Sequence, residues 1–230
     1  MKLRIASYNV HSFVGSDGRR DVRRIARVIN TLEAEVVALQ EVVFTPGKNG
    51  APEPLEMLAE LSGFTAVSAP IDRRDGVPFG NTVLTRLPVT AQRRICLDYP
   101  SCEPRTALEL WLETSARPLR VVATHLGLRP GERRQQVRTI LSHVEGDERS
   151  VTVLLGDFNE WFLIGRPLRW LHARFGHGAA VRSFPARWPL FALDRIWVHP
   201  QHALTRFEAF AAGEARVASD HLPVVAELRI

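Results

Sequence analysis

The sequence predicts a mixed α/β protein in which two β-sheets pack face to face with helices on their outer faces. Three observations lead there. Short apolar runs rich in Val, Ile and Leu outnumber the helical stretches. The helical stretches fall between them without the strict strand-helix alternation of a parallel doubly wound sheet. No repeat at solenoid spacing and no low-complexity tract interrupts the pattern. At 230 residues and 45% hydrophobic, with 15 Gly and 15 Pro spread along the chain, one domain over residues 1–230 can bury such a core.

In chain order, LRIASYN predicts a strand from Leu3 to Asn9. Asp21 then stands as an N-cap before Val22, Ile25, Ala26, Ile29 and Leu32, whose spacing is that of one helical face. Val36 to Gln40 is the second strand, and Leu55 to Leu61 a short helix stopped by Gly63. Strands from Phe64 to Ser68, Thr82 to Thr85, Ala107 to Glu113 and Leu119 to Thr124 follow. Val137, Ile140, Leu141 and Val144 mark a third helix. Val151 to Leu155 is a strand, Leu168 to Phe175 a helix ended by Gly176, and Arg195 to His199 and Val224 to Ile230 complete the strands.

The formal net charge of +5 favours an anionic partner, whether a phosphate ester, nucleic acid or a membrane surface. Cys96 and Cys102, on either side of LDYPS, make neither a disulfide framework nor a zinc pattern. MKLRIASYNV enters an alternating strand directly, and no stretch reaches transmembrane length, so the expectation is a cytoplasmic monomer with no obligate protein partner.

Polar residues gather at the strand ends. VTVLLGDFNE runs from a buried strand into Asp157 and Asn159, and a carboxylate there is costly to desolvate without a partner. Other runs end in Asn9, Gln40-Glu41 and Thr124-His125, while Asp194 opens a strand and Ser219-Asp220-His221 precedes the last one. If these ends converge, they build one rigid polar constellation. Glu41, Asp157 and Asp220 with the carboxamides of Asn9 and Asn159 form an all-oxygen donor set. Such a set suits Mg²⁺, admits Mn²⁺, and is poor for zinc. Asp194 is placed to orient His221, leaving its other ring nitrogen for acid or base work. A hard cation and an oriented His together equip a site for phosphoester hydrolysis.

The segments SYNVHS, ALQEV, ATHLG, LLGDFNE, LDRIWV and SDHLPV, in this order over essentially the whole chain, resemble the signature of the endonuclease/exonuclease/phosphatase superfamily. The resemblance implies a four-layer α/β/β/α sandwich and a Mg²⁺-dependent hydrolase. It implies Glu41 as principal metal ligand with Asn9 and Asp220 close to the cation, and Asp157 orienting or deprotonating the attacking water. It further implies Asn159 on a non-bridging phosphate oxygen, His221 with Asp194 at the transition state, and His125 donating to the phosphate from the other side. One departure stands out. Where the deoxyribonuclease branch pairs the His matching His125 with a Glu, this chain reads DGVPFGNTVLTR, which makes Asn81 a candidate substrate contact.

Arg105 in EPRTALEL and Arg187 in SFPARWPLFALDR are further substrate-binding candidates, each competing with an ordinary solvated arginine. WFLIGRPLRWLHARF sets Trp161, Phe162, Leu163, Ile164, Trp170 and Leu171 among arginines. Core packing of a short helix is the favoured reading, a lipid-facing or base-stacking rim the competitor, and Trp188 and Phe191 pose the same choice. Three functions follow: a hydrolase of small or lipid-derived phosphoesters, a nuclease, or a non-catalytic scaffold. The complete donor and acid-base set argues against the scaffold. With only Lys2 and Lys48 as lysines, the chain is poorly furnished for gripping duplex DNA. A closed, aromatic-rimmed pit would favour the first function and a continuous basic groove the second.

Overall fold

The computed structural model describes residues 1–45, 53–72, 76–145, 149–178 and 180–230; Lys48 and Asp75 lie outside them. The first half runs β1 (Lys2–Asn9), α1 (Val22–Thr31), β2 (Val36–Val43), α2 (Pro54–Ser62), β3 (Thr65–Ile71), β4 (Phe79–Thr85) and β5 (Val89–Cys96). The second half runs β6 (Thr106–Leu112), β7 (Leu119–His125), α3 (Pro130–Val144), β8 (Val151–Asp157), α4 (Arg166–Phe175), β9 (Asp194–His199), β10 (Leu204–Ala209), α5 (Ala215–Ala218) and β11 (Val224–Arg229). One sheet has the order β10-β11-β1-β2-β4-β3, the other β5-β6-β7-β8-β9.

Strand periodicity of two divides the apolar residues among three cores. Leu3, Ile5, Val36 and Ala38 of the first sheet meet Val121, Val153 and Leu155 of the second between the sheets. Their neighbours Ala6, Tyr8, Val37 and Leu39 face outward against α1 and α2. On the other side Val122 and Leu154 face Val137, Ile140, Leu168 and Leu171 of α3 and α4. The result is the α/β/β/α sandwich. It explains why VTVLL is apolar on both faces, since helices cover what an open sheet would leave wet.

All four foreseen helices are present. Asp21 caps α1 by accepting from Arg24 N at 2.9 Å, and Gly63 closes α2 at φ 68°. Two strands have no sequence counterpart, β5 and β10, and both lie at sheet edges. Their residues, VTAQRRIC and LTRFEA, are largely solvent-facing, so they lack the apolar alternation of an interior strand.

Two parallel pairs sit inside the sheets, β1 with β2 and β7 with β8. Parallel pairing brings C-terminal ends level: Asn9 is opposite Gln40, and His125 opposite Asp157, itself opposite Asp194. The polar ends are therefore stacked at one end of the sandwich.

Candidate active site

The two rows meet through Asn9. Its Nδ2 donates to Glu41 Oε1 at 3.0 Å and, across the sandwich, to Asp157 Oδ2 at 3.1 Å. Its Oδ1 accepts from His11 N at 3.0 Å. Ser219 Oγ donates to Asn9 O at 2.7 Å, which brings the segment before β11 to the same place.

Backbone irregularities aim the carboxylates. Pairing of β2 with β4 slips between Leu39 and Val42, and Glu41 adopts φ 57° in that bulge. The bulge turns Glu41 into the site instead of into a core. On β8, Gly156 at φ 147° lies so close to β7 that a Cβ would stand 1.9 Å from Thr124 O. Only glycine permits this approach, which sets Asp157 beside His125. Asn159 follows at φ 48°, its N donating to Asp157 Oδ1 at 2.9 Å.

Asp194 and His221 form a buried pair, His221 Nδ1 to Asp194 Oδ2 at 2.8 Å, with Ser183 Oγ donating to the same oxygen. Burial works against the His221 imidazolium, but the charges of Asp194 and Asp157 outweigh it and push the imidazole up to about 10. His221 is thus a cation at neutral pH, with Nε2 3.7 Å from Asp157 Oδ2. Burial raises the Asp157 carboxyl to about 6, with His221 opposing and Asp194 adding to the rise. His125 is held well below the usual imidazole range by burial, then by the charges of Arg105 and His221. Its Nε2 accepts from Asn159 Nδ2 at 3.0 Å, whose second hydrogen goes to Leu126 O at 2.8 Å. Both Asn159 amide hydrogens are therefore spent on fixing His125 and its loop.

A cavity of about 330 Å³ opens over these groups, lined by Glu41, His125, Asp157, Asn159, Asp220 and His221 with Phe79, Glu103, Arg105, Leu128, Trp161, Phe184 and Leu193. Carboxylate oxygens of Glu41 and Asp220 at its wall fit a hard divalent cation. Asp157, Asp194 and His221 also bring ligand atoms within 4.8 Å of one another, a group that could hold a metal. However, His221 Nδ1 and Asp194 Oδ2 are engaged with each other, which favours a proton-handling role for that trio.

The sequence matches the Endonuclease/Exonuclease/phosphatase family over residues 6–221. The chain belongs to that family. It is 26% identical over 248 residues to Uncharacterized protein YbhP of Escherichia coli K12, covering 99% of this chain and 96% of that one. An endonuclease/exonuclease/phosphatase from Beutenbergia cavernae superposes with TM-score 0.78 at 25% identity, covering 100% of this chain and 72% of the other. A mannosyl-6-phosphatase of Bacteroides thetaiotaomicron shares the fold with TM-score 0.79 at 18% identity, covering 99% and 100%. Membership places the chain among phosphoester hydrolases.

Of the residues singled out in the sequence, Asn9, Glu41, Arg105, His125, Asp157, Asn159, Asp194, Asp220 and His221 come together. Asn81 is buried, its Nδ2 donating 2.7 Å to Thr106 O, so it ties β4 to β6. Arg187 is exposed on the loop before β9. The structure adds His11, whose Nδ1 lies 2.9 Å from Asp220 Oδ2. Asp220 accepts that bond and is lowered below the usual carboxylate range, although burial is the largest influence and acts the other way. His11, Ser12 and Phe13 all have positive φ, 44°, 54° and 65°, and this left-handed turn brings the imidazole back onto the site. His11 stands two residues after Asn9 in SYNVHS, so its proximity was readable. Ser183, in a loop of no regular pattern, carries no such signal.

The expected core packing of WFLI is corrected. Gly165 and Pro167 start α4 at Arg166, so Trp161, Phe162, Leu163 and Ile164 precede the helix and are exposed, while Leu171 is buried.

Proposed function

We propose that the chain is a Mg²⁺-dependent hydrolase of small or lipid-derived phosphoesters, with Mn²⁺ as an alternative metal. The observation that carries this reading is the convergence of Glu41, Asp220, Asp157 and His221 on one open cavity, with Asp194 behind His221. Glu41 and Asp220 would hold the cation, and Asn9 keeps Glu41 and Asp157 in position. Bound there, the metal would supply Lewis acidity to a phosphoryl oxygen and counter-charge for the leaving oxygen. Asp157, raised towards neutrality by burial, is suited to take a proton from the attacking water. His221, kept cationic by Asp194, offers Nε2–H to the charge developing on the phosphoryl group. Arg105 presents a buried guanidinium to the same space, its Nη1 2.7 Å from Glu103.

The cavity is small and rimmed by Phe79, Leu128, Trp161 and Phe184, which supports a small or lipid headgroup over a duplex. A solved neighbour is named as a mannosyl-6-phosphatase, consistent with a small phosphoester. The test is hydrolysis of p-nitrophenyl phosphate and bis(p-nitrophenyl) phosphate with and without Mg²⁺, beside His221→Ala. Metal-dependent turnover that falls at least about 100-fold in the variant supports the reading. Full turnover in His221→Ala would sink it, and Mg²⁺-dependent plasmid nicking lost in the variant would move the assignment to a nuclease.

A further inference from the structure

Among the described residues, eight of the eleven exposed large hydrophobic side chains lie on three loops around the cavity mouth. The first loop carries Leu128. The second, residues 161–164, carries Phe162 at 70% and Ile164 at 84% exposure, and the third carries Trp188 at 72% and Leu190. Single exposed apolar residues are ordinary, but a set gathered on one face marks an interaction surface.

The fold holds these loops out. Buried Arg133 donates to Glu160 Oε2 at 3.2 Å and to Leu128 O at 2.6 Å, clamping the first two loops together. The third is closed on itself, with Leu190 N and Phe191 N each 2.8 Å from Phe184 O. Rings connect the rim to the site: Phe184 lies 4.7 Å from the His221 ring, Trp161 5.9 Å from Phe184, and Phe191 4.9 Å from Trp161. Exposed Arg129, Arg166 and Arg187 flank the apolar residues, one per loop. The segments 126–131, 161–169 and 183–193 contain no acidic residue.

We propose that this face docks on an anionic lipid bilayer, with the cavity mouth turned to the headgroups, and that the phosphoester hydrolysed belongs to a lipid. The second half rests on the hydrolase reading above; the docking does not. Aromatic and aliphatic side chains enter the interfacial region while arginines pair with anionic headgroups. A nucleic acid would use the aromatic rings but has no use for Leu163 and Ile164 at the tip. A second copy meeting on the same patch would set arginine against arginine.

The test is co-sedimentation of Asp194→Asn, which leaves lipid intact, with 1:1 phosphatidylglycerol/phosphatidylcholine vesicles and with pure phosphatidylcholine. Binding should favour the anionic vesicles. In the same background Ile164→Asp and Phe162→Asp should each cut partitioning at least about tenfold. Arg166→Ala should cut anionic-vesicle binding about fivefold and spare the neutral. Ile164→Asp alone should keep turnover on soluble p-nitrophenyl esters. No anionic-vesicle binding, binding indifferent to Ile164→Asp, or a patch-dependent dimer or single-strand DNA complex in place of vesicle binding overturns the docking. Vesicle binding by a protein that hydrolyses no phosphoester leaves the docking standing and removes the lipid substrate.

Discussion

Replacing Asp194 by Asn keeps the shape of the buried pair and removes its charge. The amide oxygen can still accept from Ser183 and His221, and the amide nitrogen takes the place of Oδ1, which has no hydrogen-bond partner. His221 sits at about 10 against an ordinary 6.5. At about 1.4 kcal/mol per unit, that gap is worth roughly 5 kcal/mol in favour of the imidazolium. Burial alone would favour the neutral ring, so the carboxylates supply all of the gap and more, with Asp194 the largest contributor. Without Asp194, His221 should titrate well below 10, held up only by Asp157 and Asp220 against its burial. Turnover at pH 8 should fall about 10³- to 10⁴-fold, and lowering the pH through 6 should not restore it, because Asp157 takes up a proton over the same range. The assay pairs NMR titration of His221 in metal-free protein with the pH profile of phosphoester hydrolysis. Linkage gives a third readout. Because the folded pKa is raised, this stabilisation is full below pH 6.5 and is lost as pH rises through 10. Wild type should therefore lose up to about 5 kcal/mol relative to Asp194→Asn between those limits. A variant whose His221 still titrates near 10, or whose turnover at pH 8 stays within tenfold of wild type, would refute the reasoning.

Glu41→Gln should raise the Mg²⁺ concentration for half-maximal turnover at least about tenfold while leaving the metal-free Tm almost unchanged; calorimetric Mg²⁺ titration checks it. Gly156→Ala sets a Cβ 1.9 Å from Thr124 O between two interior strands. Backbone must move, and a loss of about 2–3 kcal/mol, or roughly 5–10 °C in Tm, is expected by differential scanning calorimetry. Arg133→Ala takes the ion-pair partner from buried Glu160 and leaves it a backbone hydrogen bond from Phe162 N, at a cost of about 3 kcal/mol by urea unfolding, and should also loosen the Leu128 and Trp161 loops against protease. His11→Ala should weaken metal dependence, because Asp220 loses its 2.9 Å partner, while the midpoint of urea unfolding moves little.

Interior strands and capped helices were legible because their physics is local. Val151, Val153 and Leu155 declare a buried strand without reference to the rest of the chain. β5 and β10 were invisible because edge strands face water and need no apolar alternation. The site was legible as strand-end polar residues, since burying Asp157 or Asp194 demands partners nearby. Its aim was not: the slip beside Glu41 and the left-handed turn at His11 are tertiary outcomes of pairing with β4 and packing under Asp220. Exposure of Phe162 and Ile164 was misjudged for a related reason. Apolar residues next to a helix read as its buried face until Gly165 and Pro167 are recognised as its start.

Among the described residues, backbone strain is concentrated at the site and is held there by burial. Seven described non-glycine residues have positive φ, and five of them, His11, Ser12, Phe13, Glu41 and Asn159, belong to the site or to the turn that enters it. At roughly 1–3 kcal/mol each, such conformations persist only where surrounding structure over-determines them. Phe13 shows how: its ring is fully buried in the core under α1, so the turn that strains it also anchors it. Glu41 and Asn159 lie between fully buried neighbours, Gln40 and Val42 on one side, Phe158 on the other. The three cores therefore hold the strand ends in a geometry that those segments would not adopt alone. A catalytic constellation drawn from both sheets depends on that surplus of packing more than on any single contact within it.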